Sequence, residues 1–135
     1  NTNVMADTVE NFVLDTTIKY PILYGEDDEK VMWNTLKDKY NDKVKNGVII
    51  KNQQYVDNIK EEMRVFKKTD MIGFMLFMSE LMTWCRDNGI PTSPCRGSVG
   101  GSTVAYISVI TDVDPIVRKT VFSRFADEDR KELGD

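Results

Sequence analysis

The sequence has no histidine and only two cysteines. Without histidine, a zinc site and a histidine-based catalytic triad are excluded within this chain. Any catalysis must therefore use carboxylates, cations, backbone dipoles or a hard metal ion. The cysteines are Cys85 and Cys95, and the N-terminus lacks the charged-then-apolar pattern of a secretory leader. These features predict a cytoplasmic protein with reduced cysteines.

An excess of positive charge is also missing. The 22 acidic residues outnumber the 18 basic ones, which leaves a formal net charge of −4. Acidic and basic residues alternate, as they do in residues 37–39 and 127–131. Because proteins neutralise nucleic-acid phosphates with a stripe of one sign, this pattern argues against self-sufficient nucleic-acid binding.

No apolar run is long enough to span a membrane. The longest apolar stretch covers residues 71–85 and is interrupted by Glu80, whereas a spanning helix needs about 20 residues. We therefore expect no membrane contact and predict a buried core helix here. Five of the seven methionines lie between Met63 and Met82. They could form an adaptable binding groove, but core filling is the favoured interpretation.

What the chain does contain is the composition of a single globular unit. Its 135 residues are 41% apolar and 30% charged, and we find neither an internal repeat nor a linker. Length and composition together predict one domain with a core of its own.

One short helix and two longer ones are predicted from apolar spacing. They cover residues 1–15, residues 26–40 behind an acidic first turn, and residues 53–68, which are strongly amphipathic. Residues 41–52 are predicted to form a loop that contains a short strand at residues 48–50.

Two acidic clusters invite interpretation as metal sites. Residues 26–29 carry four carboxylates, and Asp112 and Asp114 have the spacing of a metal-binding pair. However, a helix N-terminus favours negative charge, and an acid before a proline is a turn and helix-start signal. The helix-start interpretation is favoured for both clusters.

The most distinctive stretch is residues 96–102, Arg-Gly-Ser-Val-Gly-Gly-Ser, which we call the Gly-Ser loop. It leads into an apolar run and is predicted to feed a helix from about Ser102 to Ile110. Glycines let the backbone approach a phosphate, and N–H groups at a helix start point towards an anion. Arg96 adds a planar fork of donors. The loop therefore predicts an anion-binding site.

Residues 84–125 resemble a known family. The resemblance is carried, in order, by Asn88-Gly89-Ile90-Pro91, Arg96-Gly97-Ser98, Gly101-Ser102, Val104-Ala105-Tyr106, residues 110–115 and residues 122–125. This series is similar to the palm segment of the C-family replicative DNA polymerases, the family of the bacterial DNA polymerase III alpha subunit. A looser similarity reaches upstream through nearly all of the chain.

The resemblance implies an α+β fold. The chain would be the helix-rich first half of a polymerase-beta-like nucleotidyltransferase palm with a small, incomplete sheet. All 135 residues would form one unit, with connecting helices in residues 1–50 and the palm core, including the Gly-Ser loop, in residues 51–135.

The resemblance also implies a function, a fragment of a DNA-directed DNA polymerase that binds the triphosphate of the incoming dNTP. Arg96, Gly97 and Ser98 would contact the nucleotide, and Gly101 and Ser102 would complete the phosphate site by shaping the helix start. The implied cofactor is Mg²⁺, and the implied partners are dNTP, primer-template DNA and the remainder of the polymerase.

Asp135 falls where the family has the first residue of an Asp-X-Asp pair, which implies a catalytic and metal-binding role for it. Two-metal phosphoryl transfer needs several carboxylates. The sequence stops at Asp135, so the isolated chain is predicted to be inactive. Two departures stand out: residues 93–95 are Ser-Pro-Cys where the family has Gly-Pro-Gly, and Val99 is bulkier than the family's residue.

Two alternative functions remain open. A palm-derived binding module could dock on replication proteins through its methionine-rich and acidic surfaces. A small stand-alone nucleotidyltransferase could instead use the Gly-Ser loop with Asp112 and Asp114 as metal ligands.

Overall fold

A computed structural model describes residues 2–9, 13–15, 17 and 20–129, and all regular structure in these ranges is helical. The helices in chain order are α1 (Thr2–Asp7), α2 (Asp28–Lys45), α3 (Gln53–Lys68), α4 (Ile72–Asp87), α5 (Thr103–Ile107) and α6 (Pro115–Arg118). Three short 3₁₀ turns cover Gly25–Asp27, Gly97–Gly101 and Phe122–Arg124.

The long helices begin and end where local chemistry favours it. The side chain of Asn52 caps α3 by accepting from the backbone N–H of Gln54 at 3.0 Å. Helix α2 carries Asp28 and Glu29 in its first turn and lysines in its last, which suits the helix dipole. The predicted helix starts at the acidic cluster and at residue 53 are confirmed.

The predicted α+β fold is wrong, because the described residues contain no strand. The segment expected to form a strand, residues 48–50, is a turn after α2. Ile49 is buried, whereas Val48 and Ile50 are 58% and 88% exposed. Ile49 therefore fills the core as a single apolar side chain. The prediction also ended α2 too early, since this helix continues to Lys45.

The core lies between the three long helices and α5. Helix α5 packs against α2 and α3, and α4 packs against both α2 and α3. The fully buried side chains at the centre are Met32, Leu36, Phe66, Met75, Leu76, Val104 and Ile107. Since α2 and α5 share this core, residues from both sides of position 50 contribute to it. The division of the chain at residue 50 stays a prediction.

Helix α4 buries one face and exposes the other. Met75 and Leu76 are inside, whereas Phe77, Leu81 and Trp84 are 41%, 40% and 56% exposed. The prediction of a buried core helix is thus confirmed for one face of α4 and not for the other. Core filling is confirmed for the methionines at positions 63, 71 and 75, which are buried.

The predicted ends of α1 and α5 were less accurate. Helix α1 ends at Asp7 and buries no residue, and residues 10–12 of the range predicted for this helix lie outside the described residues. Helix α5 ends at Ile107, before the expected Ile110, because Val109 adopts a left-handed conformation with φ 72°. Within the described part of the chain, no helix combines the length and apolarity needed to cross a membrane.

Candidate functional site

A surface groove of about 1240 Å³ lies beside the Gly-Ser loop. One wall is formed by the loop and the residue before it, and the other by the segment after α6 that ends near Asp129. The residues that line it are Cys95, Gly97, Ser98, Gly100, Gly101, Val113, Lys119, Thr120, Val121, Ser123, Arg124, Asp127 and Asp129. The loop predicted to bind an anion therefore does border a concave site.

The loop is a 3₁₀ turn held close to the opposite wall. Gly97 has φ 66°, a left-handed conformation that glycine adopts without steric cost. A Cβ on Gly101 would clash with the carbonyl oxygen of Val121, so only glycine permits this approach. The hydroxyl of Thr120 donates to the carbonyl oxygen of Gly100 at 2.8 Å. These contacts join the two walls of the groove.

The predicted site residues divide into four groups. Gly97, Ser98 and Gly101 line the groove. Arg96 has an exposed, extended position immediately before the turn, and Ser102 is completely buried behind it. Asp135 lies outside the described residues. The phosphate-binding role of the loop residues and the catalytic role of Asp135 stay predictions.

Behind the loop, a carboxylate that the sequence analysis overlooked holds the start of α5. Glu62 of α3 is 2% exposed. Its Oε2 accepts from the hydroxyl of Ser102 at 2.7 Å and from the N–H of Val104 at 2.9 Å, and its Oε1 accepts from the N–H of Thr103 at 2.7 Å. Burial raises the pKa of the Glu62 carboxyl, and these hydrogen bonds oppose that rise.

The N–H groups at the start of α5 are consequently occupied by the protein itself. Thr103 and Val104 donate to Glu62, and Ala105 donates to the hydroxyl of Ser102 at 3.0 Å. The interpretation that free N–H groups at this helix start point outward is therefore wrong. Ser102 caps the helix, as expected of its position, but with a buried partner.

The structure brings two further cations to the groove, Lys119 and Arg124. Lys119 ends α6 in a left-handed conformation with φ 54°, and Arg124 ends the 3₁₀ turn Phe122–Arg124. Two acids, Asp127 and Asp129, lie in the same groove. The sequence offered no signal that these two cations would lie beside the Gly-Ser loop. They are distant from the loop in the sequence, and the turn after α6 brings them back to it.

A signal for Glu62 was present in the sequence. Tyr55, Ile59 and Phe66 form the apolar stripe of α3, and Glu62 occupies the stripe position between Ile59 and Phe66. An acid on the buried face of an amphipathic helix needs a partner in the interior. That mismatch could have identified it.

The two acids considered as metal ligands have other partners. Asp114 accepts from the N–H groups of Ile116 and Val117 at 2.9 and 3.2 Å and from the hydroxyl of Tyr55 at 2.5 Å. Asp112 pairs with Arg86 at 2.8 Å. Asp114 caps α6 with Pro115 at the first helical position, so the helix-start interpretation is confirmed.

A magnesium site is not formed by the side chains that the structure describes. Among them, no group of three or more histidine, cysteine, aspartate or glutamate residues could hold a metal ion. Two-metal chemistry needs such a set of carboxylates. The described residues therefore do not by themselves form a site for Mg²⁺.

Residues 29–135 match the family described as the bacterial DNA polymerase III alpha NTPase domain. Among its relatives, the DNA polymerase III subunit alpha of Aquifex aeolicus (strain VF5) is 36% identical over 93 residues, which is 69% of this chain and 8% of that protein.

Other relatives with the same description are similarly close. The protein from Escherichia coli (strain K12) is 37% identical over 82 residues, covering 61% of this chain and 7% of the relative. The one from Yersinia pestis is 42% identical over 81 residues, covering 60% and 7%. This chain therefore spans only 7–8% of the length of these relatives.

Proposed function

The chain belongs to the family of the bacterial DNA polymerase III alpha NTPase domain, and we propose that its groove binds the triphosphate of an incoming dNTP during DNA-directed DNA synthesis. The observation that supports this proposal is the combination of a glycine-rich turn with two cations. Gly97 and Ser98 form one wall, and Lys119 and Arg124 lie in the same groove.

Each of these residues offers a donor or an approach that suits phosphate oxygens. The glycines allow the ligand to come close to the backbone. The hydroxyl of Ser98 can donate one hydrogen bond, Arg124 can donate two in parallel, and Lys119 supplies a compact charge. Arg96, exposed immediately before the turn, adds a further guanidinium at the edge of the loop.

The finer details of the proposal concern the complete polymerase. We propose that the chain is part of its palm, that Asp135 belongs to the catalytic acids that bind Mg²⁺, and that the remainder of the polymerase supplies the other acids and the contacts to primer-template DNA. Because the described residues contain no set of three metal-binding side chains, we propose that the 135 residues alone do not catalyse nucleotide transfer. A cytoplasmic location follows from this role.

Primer extension by the complete polymerase tests the proposal. Arg124→Ala removes a charged donor from the groove, and we expect kcat/KM for dNTP to fall by about 10–100-fold. Arg118→Ala is the matched control, because Arg118 is exposed on α6 and does not line the groove. Equal kcat/KM values for the two variants would contradict the proposal. Arg96→Ala tests the loop side of the groove in the same assay.

A non-catalytic docking module is a second candidate, and the exposed face of α4 favours it. Phe77, Leu81 and Trp84 recur at helical spacing and are each at least 40% exposed. The methionine-rich surface first considered for docking is largely buried, so this stripe would replace it. Primer extension separates the candidates, because a docking module alone predicts no dependence of dNTP kinetics on Arg124.

A further inference from the structure

Glu62 lies behind the groove and touches none of its open surface, yet it holds Ser102, the last residue of the Gly-Ser loop, and the two residues that follow it. We propose that Glu62 is a positioning residue for triphosphate binding, which fixes Ser102 and the start of α5 so that the Gly97–Gly101 turn keeps its place opposite Arg124. This inference rests on the proposed function of the groove.

The geometry of the carboxylate leaves it one orientation. Both oxygens are used, since Oε2 accepts from Ser102 and Val104 and Oε1 accepts from Thr103, all within 2.9 Å. Three donors from consecutive residues restrict the orientation of the carboxylate, because hydrogen bonds weaken when they are bent. The position of Glu62 therefore sets the position of the residues that follow the loop.

Helix α3 also holds the opposite wall, one turn further along. Phe66, four residues after Glu62, packs edge-on against Phe122 and Phe125, with ring centroids 5.6 and 6.1 Å away. These two aromatic residues flank Arg124. Residues i and i+4 share a helix face. One face of α3 thus supports both walls of the groove from behind, since Glu62 holds the start of α5 and Phe66 packs against the aromatic residues on either side of Arg124.

The contacts from Glu62 to the groove form a short path. Ser102 follows Gly101, and Gly101 lies directly against the carbonyl oxygen of Val121. A shift of the α5 start would therefore move the loop away from the wall that carries Lys119 and Arg124. Displacements of about 1 Å in a binding constellation can cost around 100-fold in rate.

Only an ionised carboxylate can accept at both ends of this site. A glutamine has almost the same volume, but its amide nitrogen donates and would face N–H or O–H donors. Burial raises the pKa of Glu62 because the charged form loses solvation. Replacement by a neutral amide therefore removes the desolvation cost of the charge but disturbs the hydrogen-bond geometry. Because the first effect offsets a loss of stability, the substitution tests positioning separately from overall stability.

Steady-state primer extension with Glu62→Gln in the complete polymerase tests the inference. We expect KM for dATP to rise about tenfold or more, while KM for primer-template changes less than about twofold and the melting temperature stays within a few degrees. A purely structural role would instead lower the active fraction, and hence kcat, without a selective change in KM for dATP.

Glu61→Gln is the matched control, because Glu61 is the neighbouring exposed acid and pairs with Arg64 on the surface. If the wild type extends primers and both variants share its KM for dATP, the inference is overturned while the proposed function stands. If the wild type neither extends primers nor binds dATP, the proposed function fails first.

Ser102→Ala provides a second variant should Glu62→Gln fail to fold. It removes the hydroxyl that links Glu62 to the N–H of Ala105 and keeps the carboxylate. A selective rise in KM for dATP supports the inference, and an unchanged KM overturns it.

Discussion

The two ends of α5 are held in different ways. At the start, Ser102 and Glu62 satisfy the first three N–H groups with no unusual backbone angle. At the end, the carbonyl oxygen of Ser108 accepts from the hydroxyl of Ser79 at 2.8 Å and from the ammonium of Lys39 at 3.3 Å. The chain then turns through Val109, with φ 72°.

Both ends follow the helix dipole, with a carboxylate at the N-terminus and an ammonium at the C-terminus. They differ in strain. A β-branched residue in the left-handed region is sterically costly, and Val109, which does not line the groove, bears that cost after the end of α5. At the start of α5, no residue adopts a left-handed conformation, and the first three N–H groups are all hydrogen-bonded. The difference predicts that changes at the start of α5 alter binding in the groove, with or without a loss of stability, whereas changes at the end affect stability alone.

The largest effect is expected from Gly101→Ala, which breaks the close contact before the start of α5. Its Cβ would clash with the carbonyl oxygen of Val121, and backbone cannot yield as a side chain does. We expect a loss of about 2–3 kcal/mol in the free energy of unfolding, measured by urea titration. Gly100→Ala is the control, because its Cβ would clash only with a side-chain atom, the sulfur of Cys95 at 2.8 Å, and would meet Val113 at ordinary contact distance. Equal losses for the two would contradict this account.

Ser79→Ala tests the end of α5. It removes the buried hydroxyl that donates to the carbonyl oxygen of Ser108, and we expect a loss of about 1–2 kcal/mol in unfolding free energy. Ser93→Ala, which removes an exposed hydroxyl, should change the same quantity by less than about 0.5 kcal/mol. KM for dATP in the complete polymerase should not change; a rise comparable to that expected for Glu62→Gln would abolish the distinction between the two ends.

Val109→Gly should increase stability, by about 0.5–1 kcal/mol in unfolding free energy. Relief of the left-handed conformation contributes about 1–2 kcal/mol, and the greater freedom of glycine in the unfolded chain offsets part of it. Val109→Ala keeps a Cβ in the strained region and should not stabilise. If both variants destabilise the fold equally, the left-handed conformation of Val109 does not lower the stability of the wild type.

The smallest effect concerns the ionisation of Lys39. Burial lowers its pKa from the ordinary 10.5, with help from Arg86 and Lys43. Since the folded state releases this proton at lower pH than the unfolded state, deprotonation favours folding as pH rises from the lowered pKa towards 10.5. The stability of the wild type relative to Lys39→Met should therefore grow between about pH 8 and pH 10. Urea titrations at both values measure it, and a constant or shrinking difference would refute it.

Most of the helices were predictable because their signals are local. The stripe on α3, the acids before α2 and the Asp114-Pro115 pair each determine a helix through spacing or capping. The strand at residues 48–50 was a wrong prediction because β-branched residues suit a strand only when a partner strand is available. In its place, Ile49 found a buried position after α2.

The candidate site was predictable only on one side. The glycines and Arg96 stand next to each other in the sequence, so their loop could be recognised before the fold was known. Lys119 and Arg124 lie more than 20 residues from Gly97, and no local rule connects such positions. Glu62 escaped notice because its partners, Ser102 and Val104, are 40 and 42 residues away.

By itself, the sequence determined the helical segments, the glycine-rich turn and the membership of a polymerase family, since each depends on residue type and short-range spacing. The tertiary structure alone decided that the N–H groups of α5 bond an internal carboxylate, and that two distant cations face the loop. The physical reason is that a buried charge requires partners, and packing chooses them from across the whole chain. For the Gly-Ser loop, that choice placed Glu62 behind it and Arg124 in front.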